Sequence, residues 1–537
     1  MATVIVDGIE LTIGDDERLN GIQAAKRAGI EVPHYCWHPG LTVVASCRMC
    51  LVETGTRNPE TGEVSMLPKV VPACQTPAKD NTVFVTNSKK VEDARAMVEE
   101  DLLIRHPIDC PICDKAGECY LQDYHFKYGR EERRADLKPF TSRRRTLGDT
   151  VTLFVDRCVM CTRCVRFTRE VAGSAELMVV NRGAHEEIDV FPGFPLENKM
   201  SGNVVDICPV GALGDKDFLY SQRVWFMKSH DNVCANCSTG CSIKVDQNQD
   251  RIYRLKPREN PHVNHWWMCD EGRYGWKHVH SNERLTEPRR LTDGQHENVE
   301  WSELIHHADT VMRQAGRVAA VLSPFLTVEE AYLLAKYVRQ VDPDALLAMG
   351  PVPIVGEDEK FANGFTIRAE KCPNRRGIEQ VLRGFGGAIA WEELPEQLAS
   401  EGIQALWMTG GYPSAWHDET LAQQFADVPN IVMQDIFASP LWNQATLQLP
   451  SSAFAERDGS YVNYSDRLQS FRWAVRPPAG ARVEGRVYWQ LLNMPGMYNA
   501  RQVLTELGQA NSFFAPAIGE VPDVGIDLRV NQLAATS

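Results

Sequence analysis

The sequence predicts a multidomain chain, α+β in its first half and α/β in its second. Three observations carry this. All sixteen cysteines except Cys372 lie before residue 270, in tight groups. Short strand-like runs and single helices separate those groups. Beyond residue 280, apolar strand-like runs alternate with amphipathic helices, the pattern of a parallel sheet covered on both faces. At roughly 150 residues per domain, 537 residues leave room for three or four domains.

Composition narrows the class further. Apolar residues make up 43% and charged residues 24%, ordinary for a soluble globular protein. The net charge of -14 argues against a general nucleic-acid binder, which needs a basic face. No apolar run approaches the roughly 18 residues of a membrane span. Met1-Ala-Thr-Val-Ile-Val-Asp7 lacks the basic and long apolar regions of a signal peptide. A cytoplasmic location is expected, where thiols stay reduced, so the cysteines read as metal ligands rather than disulfides.

At the start of the chain, Val4–Val6 and Glu10–Ile13 flank Asp7-Gly8, a tight-hairpin signal. Asn20 caps a short helix that ends at Gly29. Hairpin, helix and cysteine-bearing loop are how a plant-type [2Fe–2S] ferredoxin of β-grasp fold begins. Cys36, Cys47, Cys50 and Cys74 follow C-x10-C-x2-C-x23-C, however, and not the plant spacing. The longer gap, with Val32-Pro-His-Tyr-Cys-Trp-His38 and Ser46-Cys-Arg-Met-Cys50, resembles the N-terminal [2Fe–2S] domain of the large iron–sulfur subunits (G subunits) of complex I, NADH-quinone oxidoreductase. Related hydrogenases share that domain. The turn-rich stretch Thr54–Pro68 reads as a surface insertion. His34 and His38 flank Cys36, but beside four thiols they read as packing residues. Zinc is the competing occupant, although zinc sites usually pair two C-x2-C knuckles and only one occurs here.

Next, Ser88 caps a helix in which Val91, Ala94, Val98 and Leu102 form one apolar stripe. It delivers the chain to Cys110, Cys113 and Cys119, three thiols without a fourth partner. By spacing alone His106, Asp109, Asp114 and His125 all remain open. The pattern H-x3-C-x2-C-x5-C resembles the [4Fe–4S] motif of complex I and of iron-only hydrogenases, where one histidine joins three cysteines. That resemblance selects His106. A neutral imidazole in place of a thiolate removes one negative charge and favours the reduced cluster. Lys127–Arg145 carries eight basic residues against Glu131, Glu132 and Asp136, and reads as a solvated face.

A strand at Val151–Val155 leads into Cys158, Cys161 and Cys164, spaced as in bacterial ferredoxins. In those proteins a further cysteine soon follows and ligates a second cluster. Here Thr168 stands in its place, and Cys208-Pro209 completes the single set across C-x43-C. Ser201-Gly-Asn-Val-Val-Asp-Ile-Cys-Pro-Val-Gly-Ala-Leu213 again resembles the large iron–sulfur subunits of complex I and is the most specific match in the chain. The last group, Cys234, Cys237, Cys241 and Cys269, followed by Asp-Glu-Gly-Arg-Tyr274, resembles the [4Fe–4S] start of molybdopterin oxidoreductases. Within the complex I family it points to a bacterial form with an additional [4Fe–4S] site. His262, His265, Trp266 and Trp267 read as packing residues.

In the second half, Arg317–Leu322, Ala405–Met408, Ile431–Met433 and Thr446–Leu449 read as strands. Val328–Val341 reads as a helix with Ala331, Leu334, Ala335 and Val338 on one face. Leu449-Pro-Ser-Ser-Ala-Phe-Ala-Glu-Arg-Asp-Gly-Ser-Tyr-Val-Asn463 resembles a molybdopterin-oxidoreductase segment. The part of the chain after Cys269 is short for that family, and Cys372 is the only thiol left to bind molybdenum. It reads as a small buried apolar residue, so no molybdenum cofactor is expected. Gly384-Phe-Gly-Gly-Ala-Ile389 is not a nucleotide fingerprint, because no strand precedes it.

The expected modules are residues 1–85 ([2Fe–2S] ferredoxin), 86–130 ([4Fe–4S], one His and three Cys), 131–225 ([4Fe–4S] ferredoxin-like), 226–280 (molybdopterin-oxidoreductase-type [4Fe–4S]) and 281–537 (α/β, without cofactor). The resemblance implies one [2Fe–2S] and three [4Fe–4S] clusters and no catalytic side chain. It also implies a place in the peripheral arm of complex I, on the cytoplasmic side of the inner membrane, beside the FMN/NADH-binding subunit. Electrons would pass from that subunit towards quinone, with no NADH, flavin or quinone site on this chain and no nucleic-acid partner. The competing function is an electron-transfer subunit of a soluble NAD-linked hydrogenase or formate dehydrogenase.

Overall fold

The computed structural model describes residues 1–132, 134–183 and 185–529. Arg133 of the basic run and residues 530–537 of the expected last module lie outside the described residues. The chain forms two compact units, Met1–Met227 with Phe361–Gly364, and Lys228–Lys360 with Phe365–Ser537. Among the described residues no helix is long and apolar enough to cross a membrane.

The first unit opens with β1 (Ala2–Val6) and β2 (Ile9–Ile13), antiparallel across Asp7 (φ 47°) and Gly8 (φ 84°). Both turn residues are left-handed, as the hairpin signal requires. Asn20 caps α1 (Gly21–Arg27) with a reciprocal Asn20–Gln23 capping box, and Gly29 (φ 77°) takes the chain out. The sheet is completed by β3 (Leu51–Arg57), β4 (Val64–Met66), β5 (Val71–Pro72) and β6 (Thr82–Val85), in the order β2-β1-β6-β3-β4, with β5 on β3. This corrects the reading of Thr54–Pro68 as an insertion. Thr54 is buried, its hydroxyl donates to the Val83 carbonyl at 2.9 Å, and Thr54–Arg57 runs inside the sheet. The turn-rich composition described only the hairpin tip beyond it.

Ser88 caps α2 (Lys89–Leu103). Its buried face is Val91, Arg95, Ala96 and Glu99, while Ala94, Val98 and Leu102 are half-buried. The expected apolar stripe is thus displaced by two charged residues that find partners on the cysteine-bearing loop and on β3. Tyr35 donates to Glu99, and Arg95 donates to the Leu51 carbonyl at 3.2 Å. Then come α3 (Tyr120–Tyr128), β7 (Arg144–Thr146), β8 (Val151–Phe154), α4 (Arg163–Phe167), β9 (Leu177–Val180), β10 (Glu187–Val190), α5 (Asn203–Ile207) and β11 (Leu213–Asp215). Strands β11-β8-β7 form a small antiparallel sheet beneath the third cysteine group. The basic run is largely ion-paired: Lys127 to Glu31, Arg134 to Glu100, Arg143 to Asp156 and Glu187, Arg145 to Glu187 and Asp189.

In the second unit, β12 (Lys228–Val233), β13 (Ser242–Asn248) and β14 (Arg251–Pro257) form a meander, followed by α6 (Asp270–Tyr274). Strands β15 (Arg289–Thr292) and β16 (Gln295–Asn298), helix α7 (Trp301–Gln314), β17 (Val318–Leu322), α8 (Val328–Val341) and β18 (Leu346–Met349) lead into the large sheet. A short pair, β19 (Glu359–Lys360) and β20 (Thr366–Ile367), and helix α9 (Arg375–Gly384) precede its remaining strands. These are β21 (Ala405–Thr409), β22 (Asn430–Asp435) and β23 (Leu447–Pro450), in the order β16-β15-β23-β22-β21-β17-β18. The strands from β23 to β18 are parallel; β15 and β16 are antiparallel, so the sheet is mixed rather than purely parallel. Alternate residues feed separate cores: Val318, Ala320, Leu322, Trp407 and Val432 on one face, Ala319, Val321, Leu406, Met408 and Met433 on the other. Both faces are dry, which is why the strands are continuously apolar. Gly384 ends a helix, the wrong context for a phosphate loop.

Candidate metal centres

The first group sits on the loop between α1 and β3 and on the segment before β6. The Cys36 thiol feels those of Cys47 and Cys74 most strongly, and Cys74 those of Cys36 and Cys50, so all four converge. The Cys47 and Ser46 amides point at the Cys36 sulfur, and these contacts pull its pKa down, while its partners Cys47 and Cys74 are pushed up. Ala45 (φ 52°) and Arg48 (φ 58°) adopt left-handed conformations on this loop, bending the backbone around the sulfurs. His34 and His38 face elsewhere. His34 Nδ1 lies 2.8 Å from the Val32 carbonyl with its ring edge-on to Trp37, and Gly40 donates to His38 Nδ1 at 3.1 Å. Burial lowers their pKa values to about 4 and about 3.

The second group follows α2. Cys113 is buried, Cys119 half-buried and Cys110 exposed. Cys113 is electrostatically coupled to Cys110, and Cys119 to Cys113, so the three thiols share one site. Cys119 opens α3, and burial lifts its thiol to about 11 although the nearby Gln122 and Leu121 amides act to lower it. His106 is half-buried, and burial, with the Arg157 cation, holds its pKa near 4. The imidazole is therefore neutral, the state in which histidine ligates metals. Its charged neighbours are Arg157 and Asp109, the residue before Cys110. Arg157 Nε donates to Asp109 at 2.9 Å, and its guanidinium stacks 4.0 Å over Phe154.

In the third group, Cys158, Cys161, Cys164 and Cys208 line one cavity with Leu153, Ile188, Val210 and Ala212. Burial raises all of the first three thiols, Cys161 to about 11 with the repulsion of Cys208 added. The loop holds Met160 (φ 47°) and Thr162 (φ 58°) left-handed. For a β-branched threonine that is a costly conformation, of the kind that clusters at functional sites. It aims the Met160 amide at the Cys158 sulfur at 3.4 Å. Thr168, in the place of the usual extra cysteine, is buried and donates to the Val165 carbonyl at 3.1 Å.

The fourth group, Cys234, Cys237, Cys241 and Cys269, is wholly buried, and burial lifts Cys234 to about 12. A Cβ at Gly272 would fall 2.9 Å from the Cys234 sulfur and 3.5 Å from that of Cys269, so the glycine keeps the space between them open. Its amide donates to Cys269 at 3.3 Å. His262 and His265 are exposed, His265 with its ring 5.7 Å from that of Trp266; of that quartet Trp267 is the fully buried one. Asn264 does the holding instead, donating to the Ser242, Arg258 and Trp267 carbonyls. The Cys237–Cys241 loop is pinned by Asn463, which donates to Thr239 at 3.1 Å, and by Gln469, which donates to Gly240 at 2.7 Å. The rest of that 449–463 segment is a buried polar network: Arg457 pairs with Glu330 and Glu484, Glu456 with Arg284. Cys372 is fully buried against Phe325 and Tyr412.

Among the described residues no three His, Cys, Asp or Glu side chains form a ready-made single-ion site. Burial opposes the ionisation of most of these thiols, a cost that a cationic core offsets, and an iron–sulfur core supplies one. Amides aimed at the sulfurs and side-chain-free glycines beside them suit the same occupant. Sequence reasoning missed three buried arginines, Arg157, Arg163 and Arg166, around the third group. Their signal was available, since Arg157 and Arg163 each directly precede a cysteine.

Fold and donor sets together define a modular iron–sulfur protein with ferredoxin-like and molybdopterin-oxidoreductase-like parts. Family models agree module by module: a 2Fe-2S iron-sulfur cluster binding domain at residues 1–89, the NADH-ubiquinone oxidoreductase-G iron-sulfur binding region at 95–134, the ferredoxin-like domain of NADH-quinone oxidoreductase subunit 3 at 148–214, and the molybdopterin oxidoreductase Fe4S4 domain at 227–281. A molybdopterin oxidoreductase model matches 385–493. The NADH-quinone oxidoreductase G subunit of Rickettsia felis is 33% identical over 64% of this chain and 49% of its own length. The NADH-ubiquinone oxidoreductase 75 kDa subunit of Reclinomonas americana is 33% identical over 67% of this chain and 51% of its own. The NADH-quinone oxidoreductase G subunit of Streptomyces coelicolor is 35% identical over 63% and 39%. Over about two thirds of its length the chain is thus similar to the large iron–sulfur subunits (G subunits) of NADH-quinone oxidoreductases. It spans about half the length of the first two of these relatives.

Proposed function

We propose that this chain is the electron-transfer subunit of the peripheral arm of an NADH:quinone oxidoreductase. In this reading it carries electrons from an FMN/NADH-binding partner towards quinone, on the cytoplasmic side of the inner membrane. Bound clusters supply one-electron redox chemistry; the protein supplies spacing, orientation and potential. Cys36, Cys47, Cys50 and Cys74 hold a [2Fe–2S] cluster. His106, Cys110, Cys113 and Cys119 hold the first of three [4Fe–4S] clusters, Cys158, Cys161, Cys164 and Cys208 the second, and Cys234, Cys237, Cys241 and Cys269 the third. The modules run 1–85, 86–130, 131–225, 226–280 and 281–537, the last a cofactor-free scaffold without molybdenum. No NADH, flavin or quinone site belongs to this chain, and coupling to proton translocation resides in partner subunits.

The observation that carries this reading is the gathering of three of the four donor sets in one unit, interlocked by hydrogen bonds between their loops. Tyr120, next to Cys119, donates its amide to the carbonyl of Pro209, next to Cys208, at 2.9 Å. Iron and sulfide analysis with EPR of the reduced chain tests it. About fourteen iron atoms are expected, two from one binuclear and twelve from three cubane clusters. A colourless chain with two to four zinc ions would end the redox reading. Isolation with a soluble hydrogenase or formate dehydrogenase, free of membrane subunits, would transfer the chain to that class of enzyme.

A further inference from the structure

Helix α4 carries two arginines inside the third cysteine group, and both turn inward. Arg163 and Arg166 are only 4% and 7% exposed. Arg166 reaches across to the first group, donating to the Thr42 carbonyl at 2.5 Å and to the carbonyl of the ligand residue Cys36. The same guanidinium donates to the carbonyl of Cys161, a residue of the third group, at 3.2 Å. Arg163 repeats the bridge, donating to Trp37 at 2.6 Å and to Ile207, which precedes Cys208, at 3.1 Å. Its guanidinium carbon also lies 5.7 Å from the ring of Tyr120, which follows Cys119 of the second group.

All these acceptors are neutral carbonyls. Among the described residues neither guanidinium makes an ion pair. Glu170, the carboxylate felt by Arg166, is itself occupied by the amide and hydroxyl of Thr42 at 2.9 and 2.6 Å. Burying a cation without a counter-ion is costly unless an anion lies close by. Four thiolates on either side, carrying more negative charge than an iron–sulfur core neutralises, are that anion. A fixed positive charge favours adding an electron to a neighbouring cluster, since net charge and nearby groups set these potentials.

We infer that Arg163 and Arg166 are the shared counter-charges of the first and third cradles. They are positioning residues that lock the two loops together and raise the reduction potentials of both clusters. The inference rests on the electron-transfer reading above. EPR-monitored redox titration of the cluster-loaded full chain tests it in wild type, Arg166→Gln, Arg163→Gln and Arg166→Lys. In the glutamine variants the midpoints of the [2Fe–2S] and third-group signals should fall together while the fourth-group signal stays in place. Arg166→Lys, which keeps the charge, should hold both midpoints at wild type. Unmoved midpoints in a glutamine variant that retains its iron, movement of one cluster alone, or a fall in Arg166→Lys as large as in Arg166→Gln would overturn the inference. Should both glutamine variants lose iron, Arg166→Lys decides: wild-type midpoints support the charge role and lowered ones refute it. Failure of the relay reading itself shows differently, as a wild-type chain without reducible signals.

Discussion

Gly211 lies so close to Cys113 that a Cβ at position 211 would fall 2.1 Å from the Cys113 sulfur. The glycine belongs to the Cys208-Pro-Val-Gly loop of the third group, the sulfur to the second. Its backbone is not in the left-handed region, so the requirement is for space alone. Arg223 ties down the same place from the other side, donating to the Cys113 carbonyl at 2.7 Å.

Gly211→Ala should therefore displace Cys113 and cost the second cluster, about four of about fourteen iron atoms. Iron analysis and the disappearance of one cubane EPR signal check it. A variant with full iron and unchanged spectra would mean that the Cys113 loop gives way without loss.

His106→Cys should keep a cubane at the second site but add a negative charge, lowering that cluster's midpoint. His106→Ala should lose iron from the same site. Redox titration of the two variants separates a ligand from a bystander: an unaltered signal in both would place the fourth donor elsewhere, with Asp109 and Asp114 next in line.

Asn463→Ala removes the donor to Thr239 and the acceptor for the Ser465 and Arg467 amides. Leaving the buried Thr239 carbonyl and the part-buried Ser465 and Arg467 amides unpaired should cost on the order of 1–3 kcal/mol. The Cys237–Cys241 loop should loosen and the fourth-group signal weaken, with the other three intact. Loss of all signals together would show that the effect is global unfolding.

Burial raises the Glu329 carboxyl from 4.5 to about 7, although Ser460 donates to it through both amide and hydroxyl. The folded chain thus binds more protons than the unfolded chain between those values. Stability should fall as pH rises from about 4.5 to about 7 and stay lowered above, by at most on the order of 3 kcal/mol from this group. Glu329→Gln should flatten that decline in thermal unfolding followed across the range. An unchanged slope would mean that Glu329 ionises freely in the folded chain.

What the sequence determined by itself is local or periodic. The Asp7-Gly8 hairpin, the Asn20 and Ser88 caps, helix Val328–Val341 and the parallel strands were readable because each depends on residues a few positions apart. The cysteine groups were readable because most of their members recur with two to five residues between them, a spacing that metal ligation favours. Only the tertiary structure decided which charged residues go inside. Arg166 meets Cys36 across 130 positions and Glu99 meets Tyr35 across 64, and no pattern in a short window announces such a partner. The central strand at Thr54–Arg57 was hidden for the same reason, since its polar residues are satisfied by neighbours in the sheet. Burial of a polar group depends on who receives its hydrogen bond, and that is settled when distant segments pack.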